Sequence, residues 1–354
     1  MTARAVVVGA GIAGLVAAHG LVGDDTGPGS GRGGFEVTVF DKGRSPGGRM
    51  ATRRIGDATV DHGAQFFTAR GPAFAARVER WRAASLVDVW CHGFDHEPDG
   101  HPRYVATAGM SSLAKDLAAG LDVRCDHLVF AVRRADDEQD DHRWRVVTDD
   151  GTEHPADAVV VTCPLPQTFS LLVESGVELP AALFGGGSGG GAATADGDVD
   201  HRDYDRTLAL LVVLDGPSAV PPPGGLQAHQ LANTPWSFVG DNHAKGISGV
   251  PAVTFHAGPE WSEIHWDDPA DELHQRLLDA AAPFVGDRRV VESQVKRWRF
   301  ATPRARWPEP CWADPSGTLV LAGDAFRGPK IEAAHDSGQA AAAHLRRVLD
   351  PLSR

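Results

Sequence analysis

The sequence predicts an α/β fold, α+β overall, in which a Rossmann-like nucleotide-binding domain is joined to a second domain built on an antiparallel sheet. Three observations carry this prediction. A short apolar strand runs directly into a glycine-rich turn at residues 9–14, the next strand ends at the acidic residue Asp41, and the middle of the chain contains separate short strands bounded by turns.

The glycine turn has the spacing GxGxxG, formed by Gly9, Gly11 and Gly14. Gly9 lets the strand end turn sharply, Gly11 lets the backbone approach a pyrophosphate, and Gly14 lets the following helix pack closely on the strand. The helix N-terminus then faces the phosphates. This stretch predicts a bound dinucleotide.

The second strand supports the same prediction. Residues 35–40 alternate, are rich in β-branched side chains and end at Asp41, whose carboxylate would accept the ribose hydroxyls. The gap between the glycines and this acid exceeds the usual spacing of about 20 residues, and the polar, glycine-rich stretch 24–34 accounts for the surplus. A glycine turn that serves packing alone is the alternative, and the order strand, turn, helix, strand, acid disfavours it.

Composition limits the class of protein. With 354 residues, 42% of them hydrophobic, the chain can bury a large core and is expected to form two domains. A net charge of -13 without a dense basic run argues against nucleic acid and against an anionic membrane surface as partners. The first apolar run is too short to span a bilayer, and cleavage of a signal peptide there would destroy the glycine turn.

The cysteines indicate a reducing compartment. They are far apart and follow neither metal-ligand nor CxxC spacing, so we expect reduced thiols, no metal site and a cytoplasmic location. The four cysteines are Cys91, Cys125, Cys163 and Cys311.

A second glycine pair follows the acid. Gly47, Gly48 and Arg49 form a GGR segment, in which two glycines allow a close approach and a guanidinium can clamp phosphate oxygens. At this segment the sequence resembles the FAD-dependent amine oxidase superfamily, in which the GGR arginine reaches the FAD pyrophosphate. The alternative is that Arg49 is a solvent-exposed arginine in a turn, without a role in binding.

The next stretch narrows the resemblance. Residues 60–68 contain Asp61, then Gly63, Ala64 and Gln65, and this string is similar to the DxGAQ segment of renalases. In that family the segment lies beside the isoalloxazine ring, so the resemblance implies that Gly63 and Ala64 admit the flavin edge and that Gln65 faces the substrate cavity. Asp61 and His62 could instead form a surface pair.

The middle of the chain alternates between the two domains. Helical spacing predicts a helix from residue 71 to about residue 90 that starts the second domain, and the strands expected at 121–132, 144–148 and 158–164 belong to the nucleotide-binding domain. The glycine-rich stretch 184–200 should be mobile, as a disordered insertion rather than a lid. Further strands at 207–214, 236–242 and 252–256 predict an antiparallel sheet, which the resemblance places over the flavin.

Two of these strands match renalases residue by residue. The resemblance implies that Asn242 and His256 point into the cavity above the flavin, and a turn asparagine and a strand histidine that face water are equally plausible. Amine-oxidising branches of the superfamily often carry a lysine on a strand of this domain. The strand at 207–214 has none, which weakens a prediction of amine oxidation.

The C-terminal part contains the second cofactor fingerprint. Residues 294–302 resemble the renalase strand in which Trp298 lies beside the flavin and Arg299 near it. Residues 318–325 form an apolar strand that ends in Gly323 and Asp324, the residues that the resemblance assigns to the ribityl or pyrophosphate side. The last helix begins near Lys330, and its N-terminal dipole would favour negative charge on the reduced flavin.

The resemblance implies noncovalently bound FAD, held by a discontinuous domain of residues 1–72, 106–165 and 296–354. Residues 73–105 and 166–295, with an insertion at about 185–200, would form the substrate domain. Val129 is the position that matches a backbone contact to adenine. The predicted cofactor-binding residues are Gly9, Gly11, Ala13, Gly14, Asp41, Lys42, Gly48, Arg49, Met50, Gly63, Ala64, Gln65, Val129, Gly323, Asp324, Lys330 and Ile331. The predicted catalytic residues are Gln65, Asn242, His256, Trp298 and Arg299.

The function that the resemblance implies is an oxidase that takes a hydride from its substrate onto flavin N5 and passes electrons to O₂, giving H₂O₂. The substrates of bacterial renalases are the 2- and 6-dihydro isomers of NAD(P)H, which are returned to NAD(P)⁺. Hydride transfer needs no strong base, and a polar cavity with Gln65, Asn242 and His256 agrees with it. The alternatives are a flavin oxidase of an amine or a secondary metabolite, and a non-catalytic flavin-binding redox sensor.

Overall fold

The computed structural model describes residues 2–23, 34–94, 99–135, 142–184, 204–304 and 306–349. Most of the stretch 24–34 and the predicted insertion at about 185–200 lie outside the described residues. The helices, in chain order, are α1 (Ile12–Val22), α2 (Pro72–Ala83), α3 (Ser111–Ala118), α4 (Leu165–Leu172), α5 (Pro259–Ile264), α6 (Ala270–Val285) and α7 (Ile331–Leu349). The strands are β1 (Arg4–Val8), β2 (Glu36–Phe40), β3 (Thr52–Ile55), β4 (Ala58–Asp61), β5 (Val87–Cys91), β6 (Arg103–Ala106), β7 (Asp122–Arg124), β8 (Val129–Arg134), β9 (Trp144–Thr148), β10 (Glu153–Ala156), β11 (Ala158–Val161), β12 (Tyr204–Leu214), β13 (Gly225–Gln227), β14 (Trp236–Asp241), β15 (Ala252–Ala257), β16 (Val290–Pro303), β17 (Trp312–Ala313) and β18 (Leu319–Leu321).

The chain divides into two compact units. The first comprises Met1–Gly48, Ala114–Asp203 and Pro303–Arg354, and the second comprises Arg49–Leu113 and Tyr204–Thr302. These bounds differ from the predicted ones in two ways. Residues 49–72, 106–113 and 296–302 fall in the second unit, and residues 166–184, predicted for the substrate domain, fall in the first. The assignment of FAD binding to one unit and substrate binding to the other stays a prediction.

The first unit is built on a six-stranded sheet in the order β17-β18-β11-β1-β2-β7. β1 pairs in parallel with both β2 and β11, and β11 pairs in parallel with β18. β1 and β11 are almost continuously apolar and buried, as expected for parallel strands that are covered on both faces. A separate antiparallel sheet in the order β10-β9-β8 belongs to the same unit.

Two glycines set the packing of helices in the first unit. A Cβ on Gly14 in α1 would collide with the carbonyl oxygen of Gly9, and one on Gly338 in α7 would collide with the carbonyl oxygen of Ala13. Both glycines therefore allow backbone to approach backbone, on the strand side of α1 and between α1 and α7. The predicted role of Gly14 in helix packing agrees with this contact.

The second unit is built on a five-stranded sheet in the order β13-β14-β15-β12-β16. Alternation along β15 separates its two faces: Val253 and Phe255 enter the main hydrophobic core, whereas Thr254 and His256 lie on the opposite face. Because Gly240 pairs with Thr254 and Phe238 with His256, β14 continues that polar face.

The hairpin β3-β4 lies on the polar face of this sheet. Its apolar residues Ile55, Ala58 and Val60 pack with Leu211 and Val213 of β12. β4 ends at Asp61. The hairpin thus carries the segment 61–65 onto the same face as Thr254 and His256.

The predicted fold class is confirmed, and two predicted elements are wrong. The single strand expected at 121–132 is two strands, β7 and β8, which belong to different sheets. The helix expected from residue 71 to about residue 90 ends at Ala83, and residues 87–91 form β5, which pairs with β6. Ser85 takes a positive φ of 58° between them. The sequence after it alternates with valines at 87 and 89, so the strand preference of these residues prevails over helical spacing.

None of the helices in the described ranges has the length and apolar character that crossing a bilayer requires.

Candidate functional site

The carboxyl ends of four parallel strands bring the predicted nucleotide residues together. Gly9 follows β1, Asp41 follows β2, Thr162 follows β11, and Gly323 with Asp324 follows β18. Parallel strands end at the same edge of a sheet, and ligands of open α/β sheets bind at that edge. The first unit therefore gathers both predicted fingerprints at one edge.

The glycine turn and the GGR segment form a backbone-lined cradle. The amide of Gly47 donates to the carbonyl of Ala10 (2.9 Å), and a Cβ on Gly48 would lie 3.8 Å from the Cα of Gly11. A Cβ on Gly11 itself would meet no described atom within 4 Å. Gly11 is also the N-cap residue of α1 and has no side chain to accept from the first helical amides, which leaves them for an anion.

Asp41 is anchored beside the cradle. One carboxylate oxygen accepts from the amide of Ala10 (2.7 Å), and the other accepts from the amide of Gly43 (2.6 Å). These bonds fix the orientation of the carboxylate, and its remaining lone pairs can receive hydroxyl groups. The predicted role of Asp41 toward a ribose stays a prediction that this geometry permits.

The other predicted cofactor residues lie in both units. In the first unit, Ala13 and Val129 are buried, Lys42 and Lys330 are exposed, and Asp324 and Ile331 are half-buried. The amide of Gly323 donates to the Ser337 hydroxyl in α7 (2.8 Å). In the second unit, Met50 is buried and Gly63 and Ala64 are half-buried, and the amide of Ala64 donates to the carbonyl of Arg49 (2.8 Å).

The Arg49 side chain makes its described contacts within the second unit. Its guanidinium donates to the carbonyl of Ala301 (3.4 Å) and lies 5.9 Å from the centre of the Tyr204 ring. A role for Arg49 at a pyrophosphate stays a prediction.

In the second unit, side chains of the sheet hold the segment 61–65 through its backbone. The Asp61 amide donates to Asn242 Oδ1 (3.2 Å), and the Thr254 hydroxyl donates to the Asp61 carbonyl (2.7 Å). Asn242 Nδ2 donates in turn to the Thr254 hydroxyl (3.0 Å). The Asn242 side chain is fully buried, so it positions this segment rather than facing water.

The carbonyl of His62 receives two further hydrogen bonds from the sheet. Trp298 Nε1 donates at 2.8 Å, and His256 Nε2 lies at 3.1 Å. Since a carbonyl oxygen only accepts, the proton of the His256 ring is on Nε2. The Trp298 ring also stacks on the His62 ring, with centroids 5.2 Å apart.

Both histidines are neutral near pH 7. Burial lowers the pKa of His256 to about 4. Burial, with the nearby charges of Lys296 and Arg53, lowers the pKa of His62 to about 4 as well. Nδ1 of His62 is buried and makes no hydrogen bond within the described ranges. The site therefore contains two uncharged imidazoles.

A buried lysine connects the segment to the sheet. Lys245, in the turn after β14, lies with its Nζ 3.4 Å from Asp61 Oδ2, and both side chains are completely shielded from solvent. Lys245 Nζ also donates to Gln65 Oε1 (3.0 Å) and to Asn242 Oδ1 (3.5 Å). Burial lowers the pKa of Lys245 and raises the pKa of Asp61, while each group's charge opposes the shift of the other.

Asp61 has further partners at the start of α3. Its Oδ1 accepts from the Thr52 hydroxyl (2.6 Å) and from the amide of Met110 (2.8 Å). The Thr52 hydroxyl accepts from the amide of Ser111, the first residue of α3 (3.0 Å). A carboxylate here interacts favourably with the helix dipole. The alternative that Asp61 belongs to a surface pair is wrong.

The Gln65 amide is oriented by this network. Its Nε2 donates to the carbonyls of Asp61 (2.7 Å) and Gly63 (3.1 Å), and its Oε1 accepts from Lys245. Gln65 therefore has one favourable amide orientation, and it closes the segment 61–65 into a compact turn.

Next to Gln65 lies a group of aromatic rings that we call the aromatic cluster: Phe66, Trp90, Phe94 and Phe238. Phe66 lies 5.2 Å from Phe94 and 5.9 Å from Phe238, and Trp90 lies 4.9 Å from Phe94, between ring centroids. Phe94 and Phe238 are buried, whereas Phe66 and Trp90 are half-buried. The cluster therefore presents aromatic surface beside the polar segment.

The structure brings four of the five predicted catalytic residues around one segment: Gln65, Asn242, His256 and Trp298. The fifth, Arg299, is exposed on β16 and has no described contact with that segment. Sequence reasoning missed Lys245 and Thr254. Strand alternation gives a signal for Thr254, which shares a face with His256, whereas no local signal separates Lys245 from a solvated turn lysine.

The residues of the first unit fit the nucleotide part of a dinucleotide cofactor. The cradle at Gly11 and Gly48 is free of side chains where a pyrophosphate would lie, and the parallel strand ends supply an anchored carboxylate and a second glycine-acid pair. Backbone amides that can donate to phosphates, glycines that allow a close approach and carboxylates that can accept from hydroxyl groups are what such nucleotides use.

Comparisons with known proteins agree with this geometry. Residues 7–81 match the family model of an NAD(P)-binding Rossmann-like domain, and residues 80–182 match that of flavin containing amine oxidoreductases. Renalase of Mus musculus is 29% identical over 183 residues, which are 48% of this chain and 49% of that protein. The aligned part is thus about half the length of this curated relative.

Solved structures share the fold over nearly the whole chain. A putative protoporphyrinogen oxidase from Exiguobacterium superposes with a TM-score of 0.69 at 14% identity, covering 97% of this chain and 98% of that one. Putrescine oxidase bound to putrescine superposes with a TM-score of 0.65, also at 14% identity and with coverage of 97% and 98%. At this identity the likeness establishes the fold alone.

Proposed function

We propose that this chain is a renalase-like member of the flavin-containing amine oxidoreductase superfamily and an FAD-dependent oxidoreductase acting on dihydronicotinamides, which the matched family models and the similarity to a renalase support. The proposed substrates are the 2- and 6-dihydro isomers of NAD(P)H, and the products are NAD(P)⁺ and, with O₂ as electron acceptor, H₂O₂. The proposed cofactor is noncovalently bound FAD. When bound, the flavin supplies a two-electron acceptor.

One observation carries the proposal: the imidazoles at the site on the sheet, His62 and His256, are weak bases, and the site contains no exposed, unengaged lysine or carboxylate among the residues named above. His62 and His256 are neutral because burial lowers their pKa values to about 4, and Lys245 is engaged by three side-chain oxygen acceptors. Oxidation by hydride removal needs orientation of a ring rather than removal of a proton by a strong base. This set of groups can orient a neutral substrate ring and exclude water, which suits a dihydronicotinamide.

The proposed roles follow from the contacts. Gln65, held by Lys245, fixes the turn 61–65, so the half-buried backbone of Gly63 and Ala64 stays in place for a flat ring. Trp298 and His256 hold the His62 carbonyl from the sheet side. In the first unit, Gly11, Gly48 and Asp41 would hold the nucleotide part of the cofactor.

The cofactor assignment is tested first. Acid denaturation of the purified protein should release a yellow compound into the supernatant, and mass spectrometry should identify it as FAD. Colour that remains with the precipitated protein would contradict noncovalent binding, and release of FMN would contradict the dinucleotide.

The reaction is tested by anaerobic mixing. The flavin-loaded protein is mixed in a stopped-flow instrument with ordinary NADPH and, separately, with its 2- and 6-dihydro isomers, while the visible flavin band is followed. We expect fast bleaching by an isomer, slow or no bleaching by NADPH, and recovery of colour with formation of H₂O₂ when oxygen is admitted. Absence of bleaching by both isomers would refute the substrate assignment.

The same apparatus separates the alternatives. Bleaching by amines or by other metabolites, without bleaching by the isomers, would indicate a different oxidase on the same scaffold. If no reductant bleaches the flavin at a useful rate, a flavin-binding redox sensor becomes the favoured hypothesis. A matched control is Lys115→Met, because Lys115 is exposed on α3 and has no role in the proposed site.

A further inference from the structure

The aromatic cluster already holds two cations of the protein's own. Lys245 Nζ lies 5.3 Å from the centre of the Trp90 ring, and the guanidinium carbon of Arg103 lies 5.9 Å from the centre of the Phe66 ring. Both distances are within the range of cation–π interactions. The two half-buried rings of the cluster are therefore the two rings that contact a cation.

The two cations are fixed in place. Lys245 has no exposed side-chain surface and is hydrogen-bonded to Gln65. Arg103 pairs with Asp99 and donates to the carbonyl of His101 (2.7 Å). Neither cation can leave its ring without breaking these bonds, so a ligand cation cannot simply displace them.

The carboxylates near Lys245 are engaged with the protein. Asp61 is paired with Lys245 and accepts from Thr52 and Met110. Asp241 accepts from the Ser218 hydroxyl (2.6 Å) and from two amides of the following turn. The acid on the Arg103 side, Asp99, is paired with Arg103.

On the sheet side, the ring that faces the cluster is neutral. His256 lies 6.3 Å from Phe238 between ring centroids, and burial keeps its imidazole uncharged near pH 7. The carboxylates that the structure places beside the two cations, Asp61, Asp241 and Asp99, are therefore each engaged by the protein.

We propose that Lys245 is a specificity-determining residue, whose ammonium group takes the cation–π position on Trp90 so that the aromatic cluster accepts a neutral flat ring and rejects an alkylammonium group. This inference rests on the proposed function and deepens it, because it names the class of substrate. An amine that is protonated at neutral pH would meet the like charge of Lys245 across the Trp90 ring, and the carboxylates of Asp61, Asp241 and Asp99 are already engaged by the protein. A neutral dihydropyridine ring carries no such penalty.

The test compares two ligands of the same shape that differ in charge. Benzylamine, which is protonated at neutral pH, and neutral benzyl alcohol are titrated calorimetrically into the flavin-loaded protein. The variants are Lys245→Met, the double variant Asp61→Asn/Lys245→Met, which removes both charges of the buried pair, and the control Lys115→Met. The double variant also serves if Lys245→Met alone does not fold.

We expect the unaltered protein and Lys115→Met to bind the alcohol more tightly than the amine. In the double variant the ratio of the two dissociation constants should shift toward the amine by about tenfold, the size of a cation–π contact in a partly desolvated site. A larger shift in Lys245→Met than in the double variant would measure the added attraction of the uncompensated Asp61 carboxylate.

Three results would overturn the inference. They are tighter binding of the amine by the unaltered protein, an unchanged ratio in the double variant, and the absence of binding of either ligand, which would mean that the cluster receives no ring. The measurement requires no turnover, so its outcome is independent of whether dihydronicotinamide isomers bleach the flavin.

Discussion

The buried pair Asp61 and Lys245 gives the sharpest prediction about stability. Both side chains are completely shielded from solvent and lie 3.4 Å apart. We consider three variants: Asp61→Asn, Lys245→Met and the combination of both. Asparagine keeps an oxygen that can accept from Thr52 and Met110, and methionine keeps most of the length of the lysine side chain.

The expected magnitudes follow from what each change leaves behind. Asp61→Asn leaves the Lys245 ammonium buried without a counter-charge, and removing one partner of a buried pair costs about 3–5 kcal/mol of unfolding free energy. Lys245→Met leaves Asp61 with two hydrogen bonds and a helix N-terminus, and the carboxyl can take up a proton. We therefore expect Lys245→Met to cost less, about 2–3 kcal/mol.

The double variant carries no buried charge at this place, so its loss should be smaller than the sum of the two single losses by at least about 2 kcal/mol. The hydrogen bond from Lys245 to Gln65 is lost in both Lys245 variants and cancels in this comparison. The structure thus predicts that the interaction free energy between Asp61 and Lys245 in this double-mutant cycle is favourable.

The assay is urea unfolding of the unaltered protein, the three variants and the control Lys115→Met, followed by tryptophan fluorescence. All samples contain the same free concentration of FAD, because a ligand that binds the folded state alone adds to its apparent stability. Lys115→Met reports the effect of the same substitution at an exposed position. Additive losses in the double variant would refute the ion pair, since they would mean that the two groups do not interact.

Three further predictions follow from other contacts. Gly338→Ala should lower the unfolding free energy of the apoprotein by several kcal/mol, because the added Cβ would collide with a backbone carbonyl of α1. Gly11→Ala should leave the unfolding midpoint of the apoprotein unchanged, because its Cβ meets no described atom, and should weaken FAD binding at least about tenfold. Unfolding free energy should fall as the pH is lowered from 6.5 to about 4, by at most about 3 kcal/mol per ring, because the unfolded chain takes up protons there that native His62 and His256 do not. Melting temperatures measured over this pH range should show the fall, and His256→Gln should reduce it. Trp298→Phe should lower the unfolding free energy by about 1 kcal/mol, since it loses the 2.8 Å hydrogen bond to the His62 carbonyl and keeps the stacked ring, and an unchanged urea midpoint would contradict that bond.

The nucleotide edge could be predicted from the sequence because its signals are local. Gly9, Gly11 and Gly14 stand next to the strand that they terminate, and Asp41 directly follows the next strand. Parallel pairing of β1 and β2 then brings Asp41 to Ala10, which a strand-turn-helix pattern already implies. The end of α2 was harder to predict, because helical spacing continues into residues that prefer a strand.

The site on the sheet could be predicted only in part. Gln65, Asn242, His256 and Trp298 were expected there from a family resemblance, yet their partners within the protein were not. Lys245 and Asp61 are 184 positions apart in the chain. No periodicity or spacing reports such a contact, and a lysine in a polar turn is usually solvated.

The buried pair of Asp61 and Lys245 contributes more to recognition than to folding. Exchanging a buried ion pair for apolar side chains of similar size is often neutral for stability, so Asp61 and Lys245 need not be present for folding. What the pair does determine is the orientation of the Gln65 amide and the sign of the charge over Trp90. The double variant should therefore be folded, with a loss of unfolding free energy that reflects the hydrogen bonds of Lys245 to Gln65 and Asn242 rather than a buried charge, and still differ in its preference between charged and neutral ligands. A double variant that is equally stable and equally selective would show that the pair contributes neither to folding nor to recognition.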